Sequence, residues 1–344
     1  MKQAIIDILN EEESTMVHGY MSNAGFPQVR KTIADNLNMR YGTAFTEKNL
    51  IMTVGAGSAL NVCLKTLVNP GEEVIVFAPY FVEYNAYVRN YDGNVVIISP
   101  DTETFMPKLD EFEAKITART KAVIINNPHN PTGVVYREET IRALAEILKE
   151  KQKEYGHAIY LLSDEPYREL AYGVEVPFLP EIYRDTVICY SYSKSLSLPG
   201  ERIGYVYVPQ KATDGKALYS AVAGAARAGG HVCAPSLWQK VIARCAHLRP
   251  DLESYDRNRK ALYEGLTRMG YEMAKPDGAF YLFIKAPGGD ANAFSDAAKK
   301  KDLLVVPGDG FGCPGYFRIC YCVSLKMIQK SLPVFEELIR CGEW

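Results

Sequence analysis
The apolar and polar positions of the chain alternate with two periods, one of strand length and one of helix length. Ile5, Ile6 and Leu9 recur at helical spacing within residues 1–17, and a second helical stretch runs from about Gln28 to Tyr41. Between them, Gly19-Tyr20-Met21-Ser22-Asn23-Ala24-Gly25-Phe26-Pro27 reads as a turn-rich loop. Short apolar runs follow at 51–54, 74–78, 95–98, 122–125, 158–162, 187–190 and 203–208. Helical periods separate most of them, at 58–68, around Tyr84 and Val88, at 108–115 and at 137–151. This predicts an α/β protein with a mostly parallel sheet covered on both faces. Sites in such sheets lie beyond the C-terminal strand ends.

After Val208 the pattern changes. Helical periods cover 210–226, 235–247 and 250–269, the last carrying Asp256, Arg257, Arg259 and Lys260 on what reads as the solvated face of a linker helix. From Ala279 the order is strand (279–285), helix (291–300), strands (303–306 and 316–322) and helix (325–340), a smaller α+β C-terminal domain. Glycine-rich Gly308–Gly315 reads as a mobile loop. The expected division is a large domain at 18–235, a small one from 1–17 plus 250–344, and a linker near 236–265. A chain of 344 residues is long enough for both.

Composition then removes several function classes. A net charge of -2 and a pI near 6.3 give no basic footprint for nucleic acid and no polybasic membrane patch. No apolar run approaches the ~18 residues of a membrane span, and no signal peptide pattern opens the chain. The eight cysteines are scattered, without Cys-x-x-Cys pairs, which argues against a structural metal site and for a reducing, cytoplasmic setting. Cys320 and Cys322 flank Tyr321 in a strand-like run and read as packing residues.

Candidate chemistry gathers at the predicted strand ends. Ser191-Tyr192-Ser193-Lys194 follows one strand, and Arg202 opens the next. A lysine there either forms a Schiff base with an aldehyde or is a solvated residue of a serine-rich turn. The hydroxyls and the guanidinium can hold a phosphate. Gly55-Ala56-Gly57-Ser58 turns a strand into a helix whose N-terminus offers an anion site. It is not a dinucleotide fingerprint, because the third glycine position is Leu60, and it lacks the Gly-Lys-Ser/Thr of a nucleotide-triphosphate loop. Asn130, in Asn127-Pro128-His129-Asn130-Pro131-Thr132-Gly133, either donates its amide to a phenolate-like oxygen or caps its own turn. Asp164 either caps a helix or pairs with a protonated pyridine nitrogen; Tyr167 can hydrogen-bond the same ring. Arg318, inside an apolar strand, meets a substrate carboxylate or an internal acid.

Together with Pro79-Tyr80-Phe81 and Tyr20 ahead of Gly25-Phe26-Pro27, these motifs cover the chain from about Tyr20 to the C-terminus in an order that resembles the class I/II aminotransferases, fold-type I pyridoxal-phosphate enzymes. The resemblance implies that Lys194 carries the Schiff base to pyridoxal 5'-phosphate and shuttles a proton. Asp164 would pair with the ring nitrogen, Tyr167 and Asn130 would contact the ring's 3-oxygen, and Phe81 would stack on the ring. Ser191, Arg202, Ala56 and Gly57 would hold the phosphate, Arg318 the substrate α-carboxylate. Tyr20 would reach the phosphate in a neighbouring subunit, which implies a homodimer. The activity implied is transfer of an amino group between an L-α-amino acid and a 2-oxo acid. Only 19 residues precede Tyr20, fewer than the family's usual arm, so either the chain is shortened or this member closes its site differently. His129 also occurs in related carbon–sulfur β-lyases, but those commonly carry a His where this chain has Tyr167, which favours transfer. A pyridoxal-phosphate-sensing regulator would need an added N-terminal DNA-binding domain, and a plain α/β binding protein would leave the lysine, arginine and aspartate coincidental. Arg227 and His231 are candidates for meeting an acidic substrate side chain.

Overall fold
The computed structural model describes residues 1–342. Seven strands form the main sheet: β1 (Leu50–Thr53), β2 (Glu73–Phe77), β3 (Asn94–Ile98), β4 (Thr120–Asn126), β5 (Tyr160–Asp164), β6 (Thr186–Ser191) and β7 (Gly204–Tyr207). Their order is β1-β7-β6-β5-β4-β2-β3. Only β7 runs against its neighbours; the other contacts are parallel. Strands β1, β2, β4, β5, β6 and β7 are buried almost throughout, as a sheet covered on both faces requires. One face packs under helices Ala56–Leu67 and Gly215–Ala228, around Leu60, Leu64, Val76, Ile124 and Val222. The other meets Phe112, Leu144 and Leu148 of helices Leu109–Lys115 and Glu138–Tyr155.

A second sheet is antiparallel, in the order β8-β10-β9: β8 (Tyr281–Lys285), β9 (Val306–Pro307) and β10 (Tyr316–Cys320). Helices Leu252–Arg268 and Leu325–Cys341 close its core through Leu262, Leu266, Ile328 and Phe335. The expected α/β large sheet and smaller α+β unit are both present.

Five readings are corrected. Residues 1–17 do not join the C-terminal unit: Ile8 and Val17, from helices Lys2–Glu11 and Ser14–His18, are buried against Ile33, Tyr190 and Ile242 beside the large sheet. The stretch 236–265 is two helices broken at 246–251; Ser236–Cys245 packs with the large sheet and only Leu252–Arg268 with the small one. The 303–306 strand shrinks to β9, which pairs only through Val306 and Pro307 with β10; Pro307 has no N–H to extend the ladder. Residues 308–315 are anchored: Phe311 and Cys313 are buried, and the Phe311 carbonyl accepts from the Tyr80 amide at 3.0 Å. Cys320 and Cys322, expected in packing, are exposed, while Tyr321 between them is fully buried.

Candidate active site
Three adjacent parallel strands, β4, β5 and β6, end at Asn126, Asp164 and Ser191 on the sheet's carboxyl edge; Asn126 and Asp164 are paired, and β6 runs two residues beyond Cys189, the partner of Asp164. Beyond that edge lies a cavity of about 300 Å³, closed from the small unit's side by Tyr281 and Arg318. Its lining includes Ala56, Gly57, Phe81, Asn130, Asp164, Tyr167, Ser191, Lys194, Arg202 and Arg318. Residues predicted from separate motifs therefore share one wall. Tyr20 is the exception: it is 92% exposed and outside this lining.

Lys194 stands on a short helix (Tyr192–Ser195) that follows β6 at once. Ser191 caps that helix, its hydroxyl accepting from the Ser193 amide at 3.2 Å and lying 2.7 Å from the Ser193 hydroxyl. The Lys194 ammonium sits 5.3 Å from the centre of the Phe280 ring. Burial pulls its pKa below the ordinary lysine value, opposed by the Cys322 thiol and aided by the charges of Arg202 and Arg318. An amine so held is more readily neutral, hence nucleophilic.

At the opposite end, the first turn of helix Ala56–Leu67 presents its backbone N–H groups. Gly55 has φ +92, and a Cβ there would lie 2.9 Å from the Arg202 guanidinium. Any other residue would push the arginine off the helix end. Arg202, itself left-handed at φ 51, donates to the Pro199 carbonyl at 3.0 Å. The result is an anion cradle of helix N-terminus, serine hydroxyls and a fixed guanidinium.

Asp164 is 5% exposed. Its Oδ2 accepts from the Tyr84 hydroxyl at 2.6 Å, while Oδ1 is buried with no hydrogen-bond partner among the described residues. Burial, against the Tyr84 hydrogen bond and with repulsion from Glu165, raises its pKa to about 7. Asn126 donates to the Asp164 carbonyl at 2.8 Å, and its own Oδ1 accepts from the Asn130 amide at 2.6 Å. Asn130 Oδ1 in turn accepts from Arg318 at 2.8 Å, leaving the Asn130 side-chain N–H₂ as the free donor. Arg318 lies over the Tyr281 and Phe311 rings at 4.5 and 4.9 Å, and no described carboxylate forms an ion pair with it. Tyr167 shares a 2.9 Å hydrogen bond with Tyr281. Phe81 packs edge-on against Tyr84 at 5.7 Å. His129 is buried, hydrogen-bonded to Thr132 at 2.7 Å and held neutral by burial, its pKa near 3. Arg227 donates to Asn23 at 3.0 Å, and His231 lies 2.6 Å from the Ser58 hydroxyl; neither lines this cavity.

Sequence reasoning missed Tyr84, Tyr87, Phe280 and Tyr281. Tyr84 falls only three residues after Phe81, but nothing local marks it as the partner of a carboxylate eighty positions on.

A half-buried lysine, a buried half-satisfied carboxylate and an anion cradle around one cavity are the arrangement a Schiff-base enzyme with a phosphorylated, cationic-ring cofactor requires. The comparisons with known proteins name the family. The model of "Aminotransferase class I and II" matches residues 1–333, and the chain belongs to that family, whose members are pyridoxal 5'-phosphate-dependent aminotransferases. A putative aminotransferase of Bacillus subtilis is 34% identical over 330 residues, covering 91% of this chain and 82% of the relative. A probable aspartate/prephenate aminotransferase of Thermus aquaticus is 32% identical, over 93% and 84%. An aminotransferase structure from Eubacterium rectale is 49% identical and superposes with TM-score 0.97, over 99% of this chain and 86% of that one. The protein is a pyridoxal-phosphate-dependent transaminase. Among the described residues no helix is long and apolar enough to cross a membrane, and no group of three or more His, Cys, Asp or Glu is arranged to hold a metal ion.

The cavity's residues fit the cofactor. The orphaned Asp164 Oδ1 lacks a cationic N–H, and the missing Cβ of Gly55 lets the Arg202 guanidinium lie against the helix end, beside Ala56, Gly57, Ser191 and Ser193 in the lining of the same cavity.

Proposed function
We propose that Lys194, Asp164, Tyr167, Asn130, Phe81, Ser191, Arg202, Ala56 and Gly57 hold pyridoxal 5'-phosphate in this cavity, and that Arg318 binds the α-carboxylate of an L-α-amino acid or 2-oxo acid. The observation that carries this reading is the unpartnered, buried Oδ1 of Asp164 in the same cavity as a pKa-lowered lysine. When bound, the cofactor supplies an aldehyde for amines to condense with and a ring that takes up the electron pair left at Cα.

The protein's own groups do the rest. Asp164, ionised against the ring N–H⁺, holds that nitrogen protonated. Arg202, Ser191 and the backbone at Ala56 and Gly57 fix the phosphate, and Phe81 covers a ring face. Tyr167 and the Asn130 N–H₂ orient the 3-oxygen. Arg318, held by Asn130 and two aromatic rings, sets the substrate carboxylate so that its Cα–H lies within reach of the Lys194 amine. Lys194 would act as the base that takes the Cα proton and as the acid that gives it back. Tyr20, exposed here, reaches the phosphate of a second subunit in a homodimer, and the protein works in the cytoplasm. The relatives named as aspartate and aspartate/prephenate aminotransferases make aspartate the first donor to try.

The test is the visible spectrum of cofactor-loaded protein against a panel of single L-amino acids. A band bleached by one amino acid and restored by a 2-oxo acid is expected. Lys194→Ala must lose both band and turnover; if it keeps both, the assignment fails. Pyruvate released from cystathionine without an oxo-acid acceptor would establish a β-lyase instead. Subunit mixing tests the dimer: Tyr20→Phe should weaken phosphate binding roughly tenfold, equivalent to about 1.4 kcal/mol.

A further inference from the structure
Strand β10 carries more chemistry than its arginine. Phe317, Ile319 and Tyr321 are buried in the small unit's core, so Arg318, Cys320 and Cys322 share the opposite face. Arg318 turns toward Asn130. The next two positions on that face are exposed thiols, near enough to each other for their titrations to be linked. Facing them are the charges of Arg318 and Lys194 and the hydroxyls of Tyr255 and Tyr281. Cys320 also opens onto a cavity of about 620 Å³ lined by Leu262, Leu303, Ile319 and Val334. Cys63, Cys189, Cys245 and Cys313, by contrast, are buried.

Two neighbouring thiols titrate as a pair, the first proton leaving early because the remaining S–H donates to the thiolate. That hydrogen bond from Cys322, with Arg318 assisting against partial burial, lowers the Cys320 pKa to about 6, while Cys322 is raised. Cys320 is therefore an accessible nucleophile at neutral pH, one residue pair along the strand from the arginine assigned to the substrate carboxylate.

We propose that Cys320 is a thiol-modification site that accepts a mixed disulfide from an anionic low-molecular-weight disulfide, and that the adduct obstructs carboxylate binding at Arg318. Cys320 gives its proton to solvent and its thiolate attacks one sulfur of RS–SR. The Cys320–S–SR bond forms, the RS–SR bond breaks, and RS⁻ leaves and takes a proton from water. The thiol is oxidised and the small disulfide is reduced to one RSH. Carboxylates on R favour the encounter because Arg318 lies alongside. The effect on catalysis rests on the proposed role of Arg318; the site of the adduct does not, so the two can fail separately.

The experiment treats cofactor-loaded enzyme with oxidised glutathione at pH 7, maps the adduct by peptide mass and follows KM and kcat. The expected result is one glutathionyl group on Cys320 and KM for the amino acid raised at least about tenfold. The cofactor band should persist, and dithiothreitol should reverse the effect. Cys320→Ser should keep basal activity and resist the reagent. Cys322→Ala should slow the adduct about tenfold at pH 7 and little at pH 9, where the thiolate forms without help. An adduct on Cys233 or Cys341 with Cys320 left free overturns the site. An adduct on Cys320 with unchanged KM overturns its effect on substrate. Equal rates for the Cys322→Ala and unaltered proteins at pH 7 overturn the paired-thiol account.

Discussion

Asp164 ends β5 and Glu165 follows it, so two consecutive carboxylates lie 5% and 1% exposed at the same place in the sheet. Their surroundings are opposite. Both Glu165 oxygens are spent: Oε1 accepts from Ser163 at 2.6 Å and from Arg168 at 2.8 Å, and Oε2 from the Arg168 Nε. Arg168 is itself clasped by the Tyr41 and Phe178 rings, each at 5.4 Å, and donates to the Pro177 carbonyl at 3.1 Å. Asp164 has the Tyr84 hydroxyl on one oxygen and, among the described residues, nothing on the other. Equal burial thus produces a closed ion pair on one side chain and a receptive acid on the next. What separates structure from function here is the count of donors, because a buried carboxylate with a missing donor is costly unless a ligand supplies it.

The comparison breaks first at Asp164. Asp164→Asn should fold normally, since its amide is neutral like the protonated acid, and should bind cofactor. Its kcat should fall roughly 10³-fold, about 4 kcal/mol of transition-state stabilisation. A kcat within tenfold of the unaltered enzyme would remove Asp164 from its role. Next, Glu165→Gln leaves Arg168 buried without its counter-charge. Unfolding stability should drop by about 3 kcal/mol in denaturant melts, while kcat of the folded fraction stays within about twofold. A variant that kept its stability and lost its rate would reverse the two assignments.

How much of this was legible beforehand follows from how far each interaction reaches. The strand–helix alternation is local, so the parallel sheet and its carboxyl edge could be read, and with them Asn130, Asp164, Ser191 and Lys194 at consecutive strand ends. The donors that complete the site were not legible. Tyr84 meets Asp164 across eighty positions, and Tyr281 meets Tyr167 across 114. Helix Lys2–Glu11 shows the same limit: of the residues read as its apolar stripe, Ile6 and Leu9 are 41% and 49% exposed, and the buried residue is Ile8, which packs beside Ile242. The exposure of Cys320 and Cys322 was hidden likewise, since alternation fixes that both lie on one face of β10 and not which face meets the core.

A finer test of the pair is pH. Burial raises Asp164 from its ordinary value of 3.8 to about 7, so the folded state binds the extra proton and the stability this contributes is present at acid pH and lost as pH rises from about 4 to 7. His129, lowered from 6.5 to about 3, works the other way, its contribution being lost as pH falls through that range. The two slopes oppose each other, so the informative quantity is a difference. In cofactor-free protein, the stability of Asp164→Asn relative to the unaltered chain should rise steadily between pH 4 and 7 and level off above. A flat difference would mean that Asp164 is solvated or paired after all.

The smallest effect should come from Tyr84, and it sharpens the comparison most because it touches one hydrogen bond. Tyr84→Phe keeps the ring that lies edge-on to Phe81 at 5.7 Å, so packing is preserved while Oδ2 of Asp164 loses its donor. A hydrogen bond to a charged group is worth about 1.5–3 kcal/mol, or roughly one to two pH units, when nothing else holds the charge. In loaded enzyme the ring N–H⁺ on Oδ1 also holds Asp164 ionised, so the shift should be at most about one unit. The acid limb of the kcat/KM profile should therefore move to higher pH by no more than that, with a loss of at most about twofold near neutrality. In cofactor-free protein, where Tyr84 is the sole side-chain donor to Asp164 among the described residues, the same substitution should displace the Asp164 titration further. A larger shift in the loaded enzyme than in the empty one would show that Tyr84, not the cofactor, is the group that keeps this carboxylate charged.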